Sequence, residues 1–300
     1  MTKLIECIPN FSEGRDPAII AALVEAASGV PGAALLDHSS DPSHNRTVVT
    51  IMGGPEGVAE AAFRLAKTAR DTIDLTRHSG QHPRMGAADV IPFVPLRGCG
   101  LADCAAISKM VGARIAAELG IPVFLYEASA TAPNRRNLAD IRRGGFEGMA
   151  DKLLRAEWAP DYGPRRPHPT AGVTAVGARP PLVAFNVNLS TPDVAVAKAI
   201  ARAVRGSSGG YRYCKAIGVK LEGRNTAQVS MNMVNCDETP IYRVFEAIRA
   251  EARRWGAHIT GSELVGLAPA RALVDCAEYY LKIEDFDYDR QVLENYLLDH

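Results

Sequence analysis

The order strand, helix, strand, strand, helix, strand occurs twice along this chain, once on each side of a proline-rich segment. No other feature narrows the available folds as much. In the first half, Leu4–Ile8 reads as a strand ended by Pro9-Asn10, and Asp16 caps a helix that has Pro17 in its first turn and runs to about Ser28. Ala33–Asp37 and Thr47–Met52 are short apolar, β-branched runs separated by turn-forming residues. Pro55–Ile73 carries Val58, Ala62, Leu65, Ala66 and Ala69 at helical spacing, and Asp89–Val94 is the next strand. A helix at about Leu101–Leu119, a strand at Val123–Tyr126 and a basic helix at Arg135–Arg155 follow.

The second half repeats the order. Leu182–Leu189 is a strand and Pro192–Arg205 an amphipathic helix. Ala216–Leu221 and Ala227–Met233 flank the turn Glu222-Gly-Arg-Asn225, and Tyr242–Trp255 and His258–Val265 complete the set. Helices at about Pro269–Tyr280 and Asp289–Leu298 close the half. The expected fold is α/β (α+β), with two βαββαβ subdomains spanning residues 1–180 and 181–300 and a cleft between them. Trp158–Pro181 contains six prolines, so we expect a semi-rigid linker or binding loop there, with no long helix or central strand.

Three hundred residues, 47% of them hydrophobic, suffice for a sizeable core in each half. The formal net charge is zero and no long basic block is present, which argues against nucleic acid as a partner. Six scattered cysteines without a CxxC pair read as free thiols in a reducing compartment. The N-terminus lacks a signal-peptide pattern and no apolar run has spanning length, so the expected setting is the cytoplasm, with no membrane partner.

Candidate chemistry concentrates in His78-Ser-Gly-Gln-His-Pro-Arg-Met-Gly-Ala-Ala-Asp89, directly before an apolar strand. His78 and His82 have metal-compatible spacing only on a helix, which Gly80 and Pro83 oppose, so no metal is expected. One histidine acting as general acid/base fits better, because its ordinary pKa lies near neutrality. A purely structural pair of hydrogen-bonded histidines is the competing reading. Asp37 through Thr47 is a second dense polar loop, in which Arg46 suits capture of a carboxylate. Pro9-Asn-Phe-Ser-Glu-Gly14 ends the first strand in similar style, although on this scaffold the three loops need not share one end. No phosphate-cradling loop and no serine-nucleophile elbow is present. Cys99 and Cys104 read as packing thiols.

Glu6-Cys-Ile-Pro-Asn-Phe-Ser-Glu-Gly14, Leu35-Leu-Asp37 with Asn45-Arg-Thr47, and His78 through Pro95 together resemble the glutamate formiminotransferase family, the formiminotransferase half of formiminotransferase-cyclodeaminase. The resemblance continues through Pro122–Tyr126, Trp158–Gly163, Gly177–Arg179, Ala184–Asn188 and Gly261–Leu267, covering nearly the whole chain. It implies a transferase of histidine breakdown that moves the formimino group of N-formimino-L-glutamate to N5 of tetrahydrofolate and releases L-glutamate. It also implies two ferredoxin-like subdomains with a substrate tunnel between them, and a homodimer. The family's catalytic histidine falls on His82. Its folate-binding segment falls on Gly163-Pro164-Arg165-Arg166-Pro167-His168-Pro169-Thr170-Ala171-Gly172, unusually basic here. Arg46, Arg77 and Arg84 are candidates for carboxylate capture, and Asn10, Asp37 and Asp89 for amidinium or pterin contacts. The chain carries no cyclodeaminase domain, so loss of ammonia from the product is expected of a separate cyclodeaminase. Gln81 and Ser39 stand where some relatives carry Glu and Asp. Those changes leave open a second donor, 5-formyltetrahydrofolate with release of N-formylglutamate. A non-catalytic folate-binding protein and a metal-dependent amidohydrolase are the further alternatives.

Overall fold

The computed structural model describes residues 3–42, 44–80, 82–221 and 224–297. They divide into two compact units that meet in sequence at Pro180 and Pro181. The first unit contains β1 (Leu4–Cys7), β2 (Asn10–Phe11), α1 (Pro17–Ala27), β3 (Ala33–Asp41), β4 (Arg46–Gly53), α2 (Pro55–Thr72), β5 (Ala88–Arg97), α3 (Leu101–Leu119), β6 (Val123–Glu127), α4 (Leu138–Arg142), α5 (Met149–Leu154) and β7 (Thr174–Ala178). The second contains β8 (Val183–Leu189), α6 (Val194–Val204), β9 (Cys214–Leu221), β10 (Thr226–Met233), α7 (Ile241–Arg254), β11 (Ile259–Val265), α8 (Ala270–Leu281), α9 (Tyr288–Gln291) and α10 (Glu294–Leu297).

In the second unit the sheet order is β11-β8-β10-β9 with every pair antiparallel, the ferredoxin-like arrangement. Val187, Val229 and Met231 meet Ile200, Val244 and Ile248 of α6 and α7 in one buried cluster. The first unit has the same plan, because β3, β4, the β1–β2 strand and β5 pair in that order, antiparallel throughout. Two parallel strands, β7 and then β6, extend it beyond β5. Ile5, Ile51, Ile91 and Phe93 pack with Leu23, Leu65 and Ile115 from α1, α2 and α3 on one face. Each such fully buried side chain contributes roughly 1.5–3 kcal/mol. On the other face α4 and α5 cover only the β5–β7–β6 side, where Ile141, Met149 and Leu153 meet Val90, Phe124 and Ala175.

The double βαββαβ plan is therefore as expected, and so is the cap of α1. Asp16 accepts from the N–H groups of Ala18 and Ile19 while Pro17 occupies the first turn. Five local expectations need correction. Trp158–Pro181 does contain a central strand: Thr174-Ala-Val-Gly-Ala178 has no proline, is buried throughout and sits between β5 and β6. The prolines before and after it merely bound it. Pro9 does not end the first strand but interrupts it, since a missing N–H costs one ladder bond while its carbonyl still accepts from Val49 N at 3.0 Å. The polar loop expected after Asp37 is strand as far as Asp41, an edge strand whose exposed residues tolerate polar side chains. The basic helix at 135–155 is broken into α4 and α5, because Gly144 and Gly145 take φ of 99° and 61°, a region that no α-helix uses.

The last expected helix is likewise two short turns, α9 and α10. The turn at Glu222-Gly-Arg-Asn225 falls partly outside the described residues. Among those residues, no helix is long and apolar enough to cross a membrane.

Candidate active site

Three loops of the first unit converge at one end of its sheet. Phe11-Ser12 ends β2, His44-Asn45 turns the β3–β4 hairpin into Arg46, and His78–Arg84 precedes β5. With Asp89 they line a small cleft. Antiparallel pairing explains the convergence, because Phe11 lies opposite both Thr47 and Ala88. Side-chain bonds then fasten the loops together. Asn45, at a positive φ of 52°, accepts from Gly14 N at 2.8 Å and donates to the Ser79 carbonyl at 3.0 Å. Ser12 Oγ donates to Gly86 O at 2.8 Å. Gly80 passes so close to the hairpin that a Cβ there would stand 2.4 Å from the His44 carbonyl oxygen.

The two histidines have different surroundings. His78 Nδ1 accepts from Arg84 Nε at 3.1 Å, so Nε2 carries the proton and donates to the Asn45 carbonyl at 3.0 Å. Both ring nitrogens are thereby used to hold the loop. His82 presents Nε2 to Arg46, whose guanidinium donates to that nitrogen and to Asn10 Oδ1 at once. An accepting Nε2 places the His82 proton on Nδ1. Burial first, and then the charges of Arg46 and Arg142, push the His82 imidazolium down to about 3 from 6.5, so the ring is neutral. Burial also brings Arg46 down to about 10, with Arg142 adding to the effect and Asp89 opposing it.

The other charges of the cleft are paired. Arg84 forks onto Glu147 at 2.7 and 2.9 Å, which holds the Glu147 carboxyl down at about 2. Asp89, 3% exposed, accepts from Met85 N at 2.8 Å and from Arg142 Nε at 2.8 Å. Among the described residues Arg46 hydrogen-bonds two neutral groups and no carboxylate. The cleft thus contains a half-buried cation with no carboxylate hydrogen-bonded to it, beside a neutral imidazole, an arrangement suited to receiving an anionic substrate next to a proton carrier.

Of the residues singled out from sequence, His78, His82, Arg46, Arg84 and Asp89 line this cleft, and Asn10 touches it through Arg46. Asp37 sits midway along β3 opposite Thr50, and Arg77 is exposed in the turn after α2; neither lines the cleft. Gln81 lies outside the described residues. The end of the Gly163–Gly172 segment runs beside the histidine loop, with Ala87 N donating to Ala171 O at 2.9 Å and Val173 N to Met85 O at 3.0 Å. Its beginning lies far along the chain's path, where Gly163 packs against Ile121 and Pro122. His168 Nδ1 accepts from Ala171 N at 3.1 Å and so closes the segment's own turn.

Sequence reasoning missed Arg142 and Glu147, the partners of Asp89 and Arg84. They lie in a basic, glycine-interrupted stretch that gives no local sign of reaching the site. Among the described residues no cluster of three His, Cys, Asp or Glu could hold a metal ion.

Residues 4–179 match the formiminotransferase domain, N-terminal subdomain, and residues 184–294 match the formiminotransferase domain. A glutamate formimidoyltransferase of Streptococcus pyogenes serotype M1 is 61% identical over 298 residues, covering 99% of this chain and all of its own length. A glutamate formimidoyltransferase of Thermoplasma acidophilum is 43% identical, covering 95% of this chain and 94% of its own. The formimidoyltransferase-cyclodeaminase of Mus musculus is 45% identical over 93% of this chain, which spans 53% of that longer protein. Both halves of the sequence, and the histidine loop with its arginine neighbour, belong to one lineage: this chain is a member of the formiminotransferase family.

Proposed function

We propose that this chain transfers the formimino group of N-formimino-L-glutamate to N5 of tetrahydrofolate, releasing L-glutamate. The observation that carries the reading is the contact between Arg46 and His82, which sets a carboxylate-binding cation against a proton carrier in one cleft. The names of the S. pyogenes and T. acidophilum relatives support it.

The donor bears two carboxylates and a basic amidine. Arg46 supplies the half-buried guanidinium for one carboxylate, and loss of that charge would leave the anion unpaired. Asn10, which presents its Oδ1 to Arg46, is placed to accept from an amidinium N–H once Arg46 turns to the substrate. Tetrahydrofolate, when bound, supplies the nucleophilic N5. The residues present fit it: Arg165 and Arg166 are exposed near the start of a segment whose other end, at Ala171, pairs with the histidine loop, and they would hold the carboxylates of its glutamate tail.

His82 takes up the proton lost from N5 at Nε2 and returns it to the departing glutamate nitrogen, which cannot leave as an anion. Such general acid/base work is worth typically about 10²–10⁴-fold in rate. His78 and Asp89 fix the loop and touch no reacting atom in this scheme. The six free cysteines agree with a cytoplasmic setting.

Single-turnover transfer in His82→Asn, with both substrates bound, tests the reading. A fall of about 10²–10⁴-fold is expected, and wild-type chemistry in the variant would refute it. Product analysis with tetrahydrofolate and 5-formyltetrahydrofolate in turn identifies the donor: glutamate release with formiminoglutamate is expected, and N-formylglutamate as the sole product would move the assignment to the second donor.

A further inference from the structure

His82 in this structure cannot do the work assigned to it. Its Nε2 lone pair is occupied by a guanidinium N–H, and the same guanidinium opposes any added positive charge on the ring. Arg46 is meanwhile a half-buried cation whose two hydrogen-bond partners, Asn10 and His82, are both neutral. Both shortcomings have one remedy, which is an anion that draws the guanidinium onto itself. We propose that Arg46 couples substrate capture to proton transfer: a carboxylate arriving in the cleft takes the guanidinium from His82 and so exposes Nε2 of the ring. This rests on the transfer reading above and adds a requirement to it, that His82 becomes a base only in the presence of a substrate carboxylate.

The charges facing His82 make the effect large. They are Arg46 from β4, Arg142 from α4, Asp89 from β5 and His44 from the hairpin turn, with its ring 6.3 Å away edge-on. Arg142 and Asp89 are tied to each other at 2.8 Å, so their charges nearly offset. Arg46 is left as the dominant uncompensated charge. An anion on Arg46 both removes a donor from Nε2 and adds a negative charge beside it, and each change favours the imidazolium. In the empty cleft the ring stays neutral and occupied, which guards against unproductive proton exchange with tetrahydrofolate alone. The device also selects for donors that bear a carboxylate within reach of Arg46, whatever one-carbon group they carry.

The test follows the ring directly. Protein labelled at histidine Cε1 is titrated by NMR from pH 8 to pH 5, with His82→Asn identifying the His82 resonance. Titrations are run in chloride and in saturating glutarate at equal ionic strength. In chloride the resonance should not titrate. In glutarate a midpoint should appear within the window, at least two pH units above its value in the free protein.

Arg46→Met should show that midpoint without glutarate and should not respond to it; if this variant fails to fold, the wild-type titrations decide alone. A free ring with a midpoint near 6.5, a ring unmoved while other resonances report bound glutarate, or no binding of glutarate at all would each overturn the proposal. Turnover separates this outcome from the transfer reading. A protein that transfers the formimino group with an unmoved ring loses only the coupling. One whose ring moves but which shows no transfer loses only the assigned reaction.

Discussion

Arg142 of α4 donates from Nε to Asp89 of β5 at 2.8 Å, joining a short helix to the strand that follows the histidine loop. Asp89 completes the link by accepting from Met85 N, four residues earlier in that loop. Because the carboxylate is 3% exposed, removing it leaves Arg142 charged and unpaired in the interior. Asp89→Ala should lose about 3–5 kcal/mol of stability in urea unfolding, while Asp89→Asn, which keeps an acceptor for Met85 N, should lose less. Equal losses in the two variants would show that the backbone bond, not the charge, is what matters.

His78 and His82 should separate cleanly under mutation. His78 spends both nitrogens on Asn45 and Arg84, so His78→Gln, which can donate and accept, should lower kcat no more than about tenfold and leave the pH profile unchanged. His82→Gln should fall by about 10²–10⁴-fold. Steady-state kinetics across pH 6–9 in the two variants makes the comparison. A His78 variant as damaged as the His82 variant would assign the proton carrier to the wrong ring.

Acid should cost this protein stability through His82. Its folded value, about 3, lies below the ordinary 6.5 expected of the unfolded chain. Between those values the unfolded state binds the additional proton, so stability falls as pH drops through the window. A fully buried group would contribute about 1.4 kcal/mol per pH unit, and the partial exposure of this ring lowers that figure. His82→Gln should therefore lose less stability than the parent between pH 7 and pH 5, measured by urea unfolding. An identical loss in both would place the acid sensitivity elsewhere.

Gly80 permits a close approach between two loops, not a special backbone angle. A methyl group there would stand 2.4 Å from the His44 carbonyl oxygen and 2.9 Å from Asn45 Cβ. Gly80→Ala should push the histidine loop away from the hairpin, at a cost of about 1–3 kcal/mol if the contact is kept. Since Gly80 is exposed, the expected sign is a drop of tenfold or more in kcat/KM with Tm nearly unchanged. Unchanged kinetics would show that the hairpin yields instead.

Much of this architecture could be read from residue order. The strand and helix periods of Leu4–Ile8, Pro55–Ile73 and Ala227–Met233 are local signals, and the two βαββαβ runs follow from them. The position of His82 came through resemblance, since spacing alone left it indistinguishable from His78. What separates the two rings is the partner each meets across the fold, Arg84 and Asn45 for one and Arg46 for the other, and sequence spacing has no access to those pairings. Arg142 was invisible for the same reason, standing in a run of arginines with nothing to mark it. The strand at Thr174–Ala178 was hidden by its neighbours, because prolines on both sides suggested a loop where five proline-free residues were enough to fill a gap in a parallel sheet.

That strand has a consequence for how the protein is made. β7 lies between β5 and β6, both of which precede it in the chain, so the sheet of the first unit has an open slot until residue 178 has been synthesised. Through that interval the facing edges of β5 and β6 carry unpaired backbone groups, and α4 and α5 have only part of their apolar bed. The chain that fills the slot must come back after the long excursion of residues 128–173, a non-local closure of the kind that folds slowly. The segment that closes it ends beside the histidine loop, where Val173 meets Met85. On the ribosome, the proposed catalytic loop should thus be among the last parts of its unit to take final form.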